Sequence, residues 1–468
     1  MSKLKLTGKE LRALGFPEGP VISIAMKVME KKYKHHRKEE AMDILKKVLE
    51  SPLEYEDDAV LALIAEQLLP KPPAEGEGAE ISLNNTGIAF SIFGSEHIEA
   101  GALNQMYQAS KLPVSVAGAL MPDAHSGYGL PIGGVLAVAD AVIPYGVGVD
   151  IGCRMCLSVF DINPKELDQK PDYFKRELLE ATLFGSGGHF KQPANHEVME
   201  DKAFHELGLL RTLHGKAWKQ LGTSGGGNHF VEFGNVTIDE KDEILGIAPG
   251  EYLGLLSHSG SRGLGANIAN HYTKIAKQKR RLPGEASNLA WLGLDEEEGM
   301  EYWIAMNLAG EYASANHHII HAKIAKQLAR RPIRMVENHH NFAWKEMHEG
   351  REVIVHRKGA TPAGKNVLGV IPGSMTAPGF IVKGKGVESA VNSASHGAGR
   401  RMSRTAAIKS ITHEAMKAEL KKHDVMLIGG GLDESPFAYK DIEVVMESQK
   451  QLVDVLGKFY PRIVRMDG

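Results

Sequence analysis

The sequence predicts an α+β fold, a single large domain of mixed sheets with flanking helices, preceded by a small helical appendage. Three observations predict it. From about residue 81 onward short apolar runs alternate with Gly-rich turns, and longer runs of helical periodicity lie between them without regular βαβ alternation. The segment KPPAEGEGAE at 71–80 combines Pro, Gly and acidic residues without periodicity, which divides an appendage at 1–75 from a domain at 76–468. A chain of 468 residues is also long enough to bury a large core.

In chain order, 7–50 reads as a helical unit. Apolar residues recur at helical spacing from Val21 to Met29, after a Pro-Glu-Gly-Pro turn at 17–20. The basic stretch KKYKHHRKEE at 31–40 reads as a solvated helix face, with an RNA-phosphate strip as the sharper alternative. Strands are expected at 88–94, 133–143, 227–233, 253–258 and 352–356. Helices are expected at 166–182, 201–219, 264–280, 296–329, 403–422 and 438–455.

Composition narrows the function classes. A net charge of −3 excludes a strongly basic nucleic-acid coat but not a local basic groove. The two cysteines, Cys153 and Cys156, exclude a disulfide scaffold and suit a reducing compartment. No apolar run reaches the roughly 18 residues of a membrane helix, and the start MSKLKLTGKEL is not a secretory signal. A cytoplasmic protein with no membrane partner is expected.

The 51 Gly and 21 His gather in short clusters. Asp150 and Cys153 stand three apart in the loop YGVGVDIGCRM, where a turn aims a carboxylate and a thiolate at one point, and a thiolate can bridge two divalent metals. In GTSGGGNHFVEF, Asn228, Phe230 and Glu232 share one strand face while His229 and Val231 take the other. LLSHSGSRGLG puts His258 at a strand end before an anion-suited loop, and ENHHNFAW offers His339 or His340 but not both to one metal. Taken together, one Asp, one Cys and three His make a two-metal site suited to Zn, Mn, Fe or Co. HRKGATPA sets Arg357 and Lys358 beside a turn, and IPGSMTAPGF is a Gly-Ser loop. His396, in NSASHGAGRRMSR with Arg400, Arg401 and Arg404 downstream, suits a nucleophile toward phosphorus. GGGLDESPFAYK adds two carboxylates and Tyr439.

In order, PDAHSGYG, GVDIGC, GGGNHF, HSGSRGLG, HHN, HRKGAT, PGSM, SHGAGR and DESPFAYK resemble the signature blocks of the RtcB family of RNA ligases, from about residue 81 to 445. The resemblance implies an RtcB-like catalytic domain that joins RNA 2′,3′-cyclic phosphate or 3′-phosphate ends to 5′-hydroxyl ends, with GTP and two Mn²⁺ ions, as a monomer, in tRNA splicing or RNA repair. It implies that Cys153 bridges the two ions, with His229 and His258 completing one and Asp150 and His340 the other. It makes His396 the nucleophile that takes up guanylate. The blocks also assign nucleotide contacts to Asn228, His229, Phe230, Val231, Glu232, His340, Asn341, Pro372, Gly373, Ser374, Met375, His396, Gly397, Ala398, Gly399 and Tyr439.

The chain departs from the family pattern in three places. Arg154 follows GVDIGC and adds a cation beside the metal residues. SMTAPGF puts Gly379 and Phe380 where a Ser-Tyr pair is usual, and the end VRMDG leaves Arg465 or Met466 where a Lys meets guanine. A metal-dependent phosphodiesterase or cyclic-phosphate hydrolase acting on RNA ends is the alternative. Such an enzyme would keep the metal residues and could discard His396. A non-catalytic RNA-binding protein would lose the ligands instead. Both sets are present.

Overall fold

Helix gives way to sheet along the chain in the computed structural model, which describes Leu4 and residues 6–17, 20–34, 36–55, 58–68 and 79–468. The chain divides into two compact units, Met1–Glu77 and Gly78–Gly468. In the first, helices Gly8–Leu14, Pro20–Lys32, Lys38–Glu50 and Ala62–Leu68 pack on a common core. Thr7 and Glu10 close a reciprocal cap on the first helix, so two of its free N–H groups find acceptors. Lys38–Glu50 buries Ala41, Leu45 and Val48, a spacing of four and three that lines one helix face. The basic stretch at 31–40 is not one helix face. Lys31 and Lys32 end one helix and Lys38 opens the next, with a turn between. His35, Glu18, Gly19 and residues 71–78 of the expected boundary lie outside the described residues.

The second unit is α+β and holds two large sheets. One has the strand order Arg334–His339, Arg154–Phe160, Gly250–Ser259, Phe230–Ile238, Val453–Met466, Gly379–Gly384, Leu368–Ile371, with Met426–Ile428 beside Val453–Met466. Its pairings are antiparallel except that last one. The sheet curls until its two ends meet. Asn338 on the first strand accepts from Val370 N at 2.7 Å and donates to Val370 O at 3.2 Å and to Thr361 Oγ1 at 2.8 Å. The other sheet runs Asn341–His348, Arg351–Lys358, Ile132–Val138, Ser115–His125, Ser91–Ile92. The 31-residue helix Glu297–Gln327 covers the outer face of the first sheet and buries most of its girth, leaving one exposed stripe at Met300, Ile304, Glu311, His318 and Ala322.

Several expected elements differ. The helix expected at 166–182 breaks at Pro171, which opens a new helix, since proline fits a first turn but not an interior. That at 201–219 breaks at Leu207 before Gly208. That at 403–422 breaks where Thr412 caps a second helix, accepting from Ala415 N at 3.2 Å. Of 438–455 only Ile442–Glu447 is helical, and the chain returns as the strand Val453–Met466. Gly457 and Pro461 disfavour helix there, and the β-branched and aromatic residues find partners on both sides. Of 88–94 only Ser91–Ile92 pairs. Among the described residues no helix is long and apolar enough to cross a membrane.

Candidate active site

Register decides which side chains meet. Residues directly opposite across an antiparallel pair project to the same face. Met155, His258, Phe230 and Met466 form one such row, and Leu157, Leu256, Glu232 and Val464 another. Between them the row Cys156, Ser257, Val231, Arg465 points the other way. Members of the first two rows line a cavity of about 300 Å³ with Asn228, His340, Pro372, Gly373, Ser374, Met375, Gly379, His396, Gly397, Ala398, Gly399, Arg400, Arg404, Glu434 and Tyr439. That volume lies at the lower end of small-molecule sites.

Five expected metal residues converge at one side of this cavity, each from the end of an element. Cys153 precedes the Arg154–Phe160 strand, His229 precedes Phe230–Ile238, and His258 ends Gly250–Ser259. His340 sits where the chain leaves one sheet for the other. Cys153 Sγ lies 3.2 Å from His258 Nε2 and 3.5 Å from His229 Nε2. Asp150 Oδ2 lies 2.9 Å from His229 Nε2, and His258 Nε2 lies 3.2 Å from His340 Nε2. The carbonyls of Ser224 and Asn228 take the Nδ1 protons of His229 and His258 at 2.9 and 3.0 Å, which turns both Nε2 lone pairs inward. His340 Nδ1 is buried with no partner. Lone pairs, a thiol and a carboxylate aimed at one another with too few protons between them form a donor set that fits cations. Burial pushes Asp150 up, but its neighbours His229 and Cys153 prevail and bring it to about 2. Burial lowers His258 to about 3, and burial followed by the Asp150 charge raises the Cys153 thiol. The His258 and His340 imidazoles, both lowered chiefly by burial, are thus neutral and fit for ligation.

His396 follows the short strand Ser393–Ser395 and sits with its ring centroid 5.0 Å from that of His340. Asp123 holds it. One carboxylate oxygen accepts from His396 Nδ1 at 2.6 Å, from His396 N at 3.1 Å and from Gly397 N at 3.4 Å. Asp123 is fully buried; desolvation opposes its charge, but His396, His125 and Lys440 prevail and lower its pKa. With Nδ1 engaged, His396 Nε2 is the free nitrogen. Gly399, at φ +72°, lets the loop pass Asp123, because a Cβ there would lie 2.1 Å from the Asp123 carbonyl oxygen. Asp123 lies inside PDAHSGYG, yet sequence reasoning gave it no role. Its signal was a carboxylate in a block whose partner lies 273 positions away.

The remaining expected residues separate. Val231 packs in the outer core, and Asn341 spends its amide on Asp150 O and Gly359 N, so neither reaches the cavity. His339 stacks with Phe342 and Trp344. Arg154 does not face the metal residues. Its guanidinium turns outward to Glu337 and to the Gly310 carbonyl. Arg357 pairs with both oxygens of Glu346 inside the protein, whereas Lys358 donates to the Tyr128 carbonyl. Arg400 and Arg404 line the cavity already paired with Glu434, which also accepts from Tyr439. Glu232 has no charged neighbour, and burial raises its carboxyl. Gly379 and Met466 line the cavity, whereas Phe380 is core and Arg465 donates outward to Leu178 O at 2.7 Å.

Behind the site a second polar cluster fills the space between sheet and long helix, and the sequence alone did not single it out. Cys156, His317 and His321 bring their donor atoms within 4.8 Å of one another. Their hydrogen bonds close without an ion. The Ser259 carbonyl can only accept, so His317 Nε2 donates to it at 3.1 Å and Nδ1 accepts from Ser257 Oγ at 2.6 Å. Ser257 Oγ then accepts from His321 Nε2 at 2.8 Å, and His321 Nδ1 accepts from Ser158 Oγ at 2.8 Å. Every ring nitrogen is taken, so this cluster is structural.

Comparison with known proteins finds relatives along most of the second unit. The family model described as tRNA-splicing ligase RtcB matches residues 105–209 and 208–467. The RNA-splicing ligase RtcB of Escherichia coli (strain K12) is 34% identical over 388 residues, 77% of this chain and 92% of that protein. The tRNA-splicing ligase RtcB of Pyrobaculum aerophilum is 30% identical over 404 residues, 71% of this chain and 84% of that protein. That of Methanococcus maripaludis is 29% identical over 425 residues, 75% and 88%.

Proposed function

The chain belongs to the RtcB family of RNA-splicing ligases, and from that premise we propose that it is a GTP- and Mn²⁺-dependent ligase working through a guanylylated His396. The observation that carries this reading is His396, its Nδ1 held by buried Asp123 and its ring at the wall of a nucleotide-sized cavity beside the His340 ring. Nε2 attacks the α-phosphorus of GTP, a P–N bond forms, and pyrophosphate departs. The guanylate passes to the RNA 3′-phosphate, and the 5′-hydroxyl oxygen of the second strand then displaces GMP. Displacement at phosphorus needs positioning and charge neutralisation more than proton transfer. Asp150, Cys153, His229, His258 and His340 would hold the two Mn²⁺ ions, which supply Lewis-acid charge to phosphate oxygens when bound.

Glu232 receives the base. It is a buried carboxyl without a charged partner, so a base that offers N–H donors relieves its desolvation. Ser374, Gly397, Ala398, Gly399 and Tyr439 line the rest of the nucleotide's bed. Both thiols are free, which suits a reducing cytoplasm. The test is incubation with α-labelled GTP and Mn²⁺, with His396→Ala alongside. Covalent label is expected on the unmodified protein and absent from the variant. No label with GTP or ATP would sink the ligase reading and favour a metal-dependent phosphodiesterase.

A further inference from the structure

A second cavity, about 310 Å³, abuts the first and shares His125 and Arg400 with it. Its other polar walls are His97, Glu99, Arg401, Lys440 and Asp441. Their charges are unequally satisfied. Asp441 caps the Ile442–Glu447 helix, accepting from Glu443 N at 3.0 Å, and Glu99 accepts from Ser126 N at 2.5 Å. Arg401 spends Nε on the Phe437 carbonyl at 2.8 Å, which leaves the two-pronged end of its guanidinium unused. Lys440 donates to the carbonyls of Pro122 and Ala124 at 3.2 and 2.7 Å, on either side of Asp123. Among the described residues neither cation has a carboxylate within 4.0 Å. Arg400 and Arg404, facing the first cavity, are instead matched by two carboxylates, Glu434 and Asp433.

Lys440 already shares its charge with Asp123 and Glu99, but the open edge of the Arg401 guanidinium beside a phosphate-handling site suits an anion. The first cavity has room for about one nucleotide, the guanylate, so the RNA strand must lie in an adjoining space. His125 stands in the shared wall, with Nδ1 committed to the Asp123 carbonyl at 3.0 Å and Nε2 open. We propose that the second cavity seats a backbone phosphate of the RNA strand, held by Arg401 and Lys440, next to the end on which His396 acts. This rests on the ligase reading for its substrate but not for its test. Guanidinium offers two parallel donors to a phosphate, so Arg401 is the principal contact.

The test is binding of full-length protein to a fluorescent single-stranded RNA ending in a 3′-phosphate, measured by anisotropy over a salt series. Arg401 is exposed, so its variants keep the fold. Arg401→Ala is expected to weaken binding several-fold and to flatten the log–log salt slope by about 0.7, the share of one single-strand phosphate. Arg401→Glu is expected to weaken it further and Arg401→Lys to keep the slope. Unchanged affinity and slope in Arg401→Ala, or no RNA binding by the unmodified protein, overturns the proposal. Labelling by GTP is read separately. RNA binding that depends on Arg401 without any label sinks the ligase reading and leaves the subsite standing.

Discussion

Asp123 shows how much one buried residue decides. Its oxygen takes three donors from the His396 loop, which fixes both the backbone and the ring tautomer. An amide in its place has one accepting atom and one donating group, so His396 loses the enforced Nδ1–H state. Asp123→Asn is therefore expected to lower guanylate transfer by about two to four orders of magnitude, as tautomer-fixing carboxylates do elsewhere. Single-turnover labelling measures it, and a loss below tenfold would remove Asp123 from the mechanism. Arg154 makes the complementary point. Its sequence neighbours suggested a cation at the metal residues, but it follows Cys153 in an extended strand and so projects to the other side, onto Glu337.

At the scale of elements, the Gly250–Ser259 strand presents His258 to the site and flanks it with Ser257 and Ser259 on the other face. Those serines tie the strand to the Glu297–Gln327 helix through His317 and His321. Asn316 of the same helix adds bonds to Gly222 N and Gly260 O at 2.7 and 3.0 Å. Ser257→Ala would strand His317 Nδ1 and His321 Nε2, each at a cost of about 1–3 kcal/mol. A drop of that order in unfolding free energy, read from denaturant titration, is expected, larger than for Cys156→Ala. A greater loss from Cys156→Ala, reproduced by chelators in the unmodified protein, would show instead that this cluster holds an ion.

At the scale of the molecule, Asn338 ties the two ends of the first sheet together with two bonds to Val370 and adds a third to Thr361 beside them. Curling brings the loop at 372–375 opposite the strand that bears Glu232, and so makes a cavity of what would be an open face. Asn338→Ala is expected to cost about 2–4 kcal/mol through the Val370 groups left without partners. Chemical denaturation checks this, and a midpoint shift worth less than ~0.5 kcal/mol would show that the closure does not depend on Asn338. The appendage was legible as helical because its apolar spacing is local, as in Ala41, Leu45 and Val48. The strand at 453–466 was not, because nothing within it reveals that Phe230–Ile238 and Gly379–Gly384 lie on either side.

The sequence by itself determined the chemistry: which short blocks carry imidazole, thiol and carboxylate, in which order, and hence the family. Only the tertiary structure decided which atoms face the cavity. Strand register chose Met466 over Arg465 and Glu232 over Val231, and long-range packing set Asp123 behind His396. The reason is physical. Residue types are local, whereas the face a side chain takes follows from pairing with strands tens or hundreds of positions away, where a slip by one would exchange every inward residue for its neighbour.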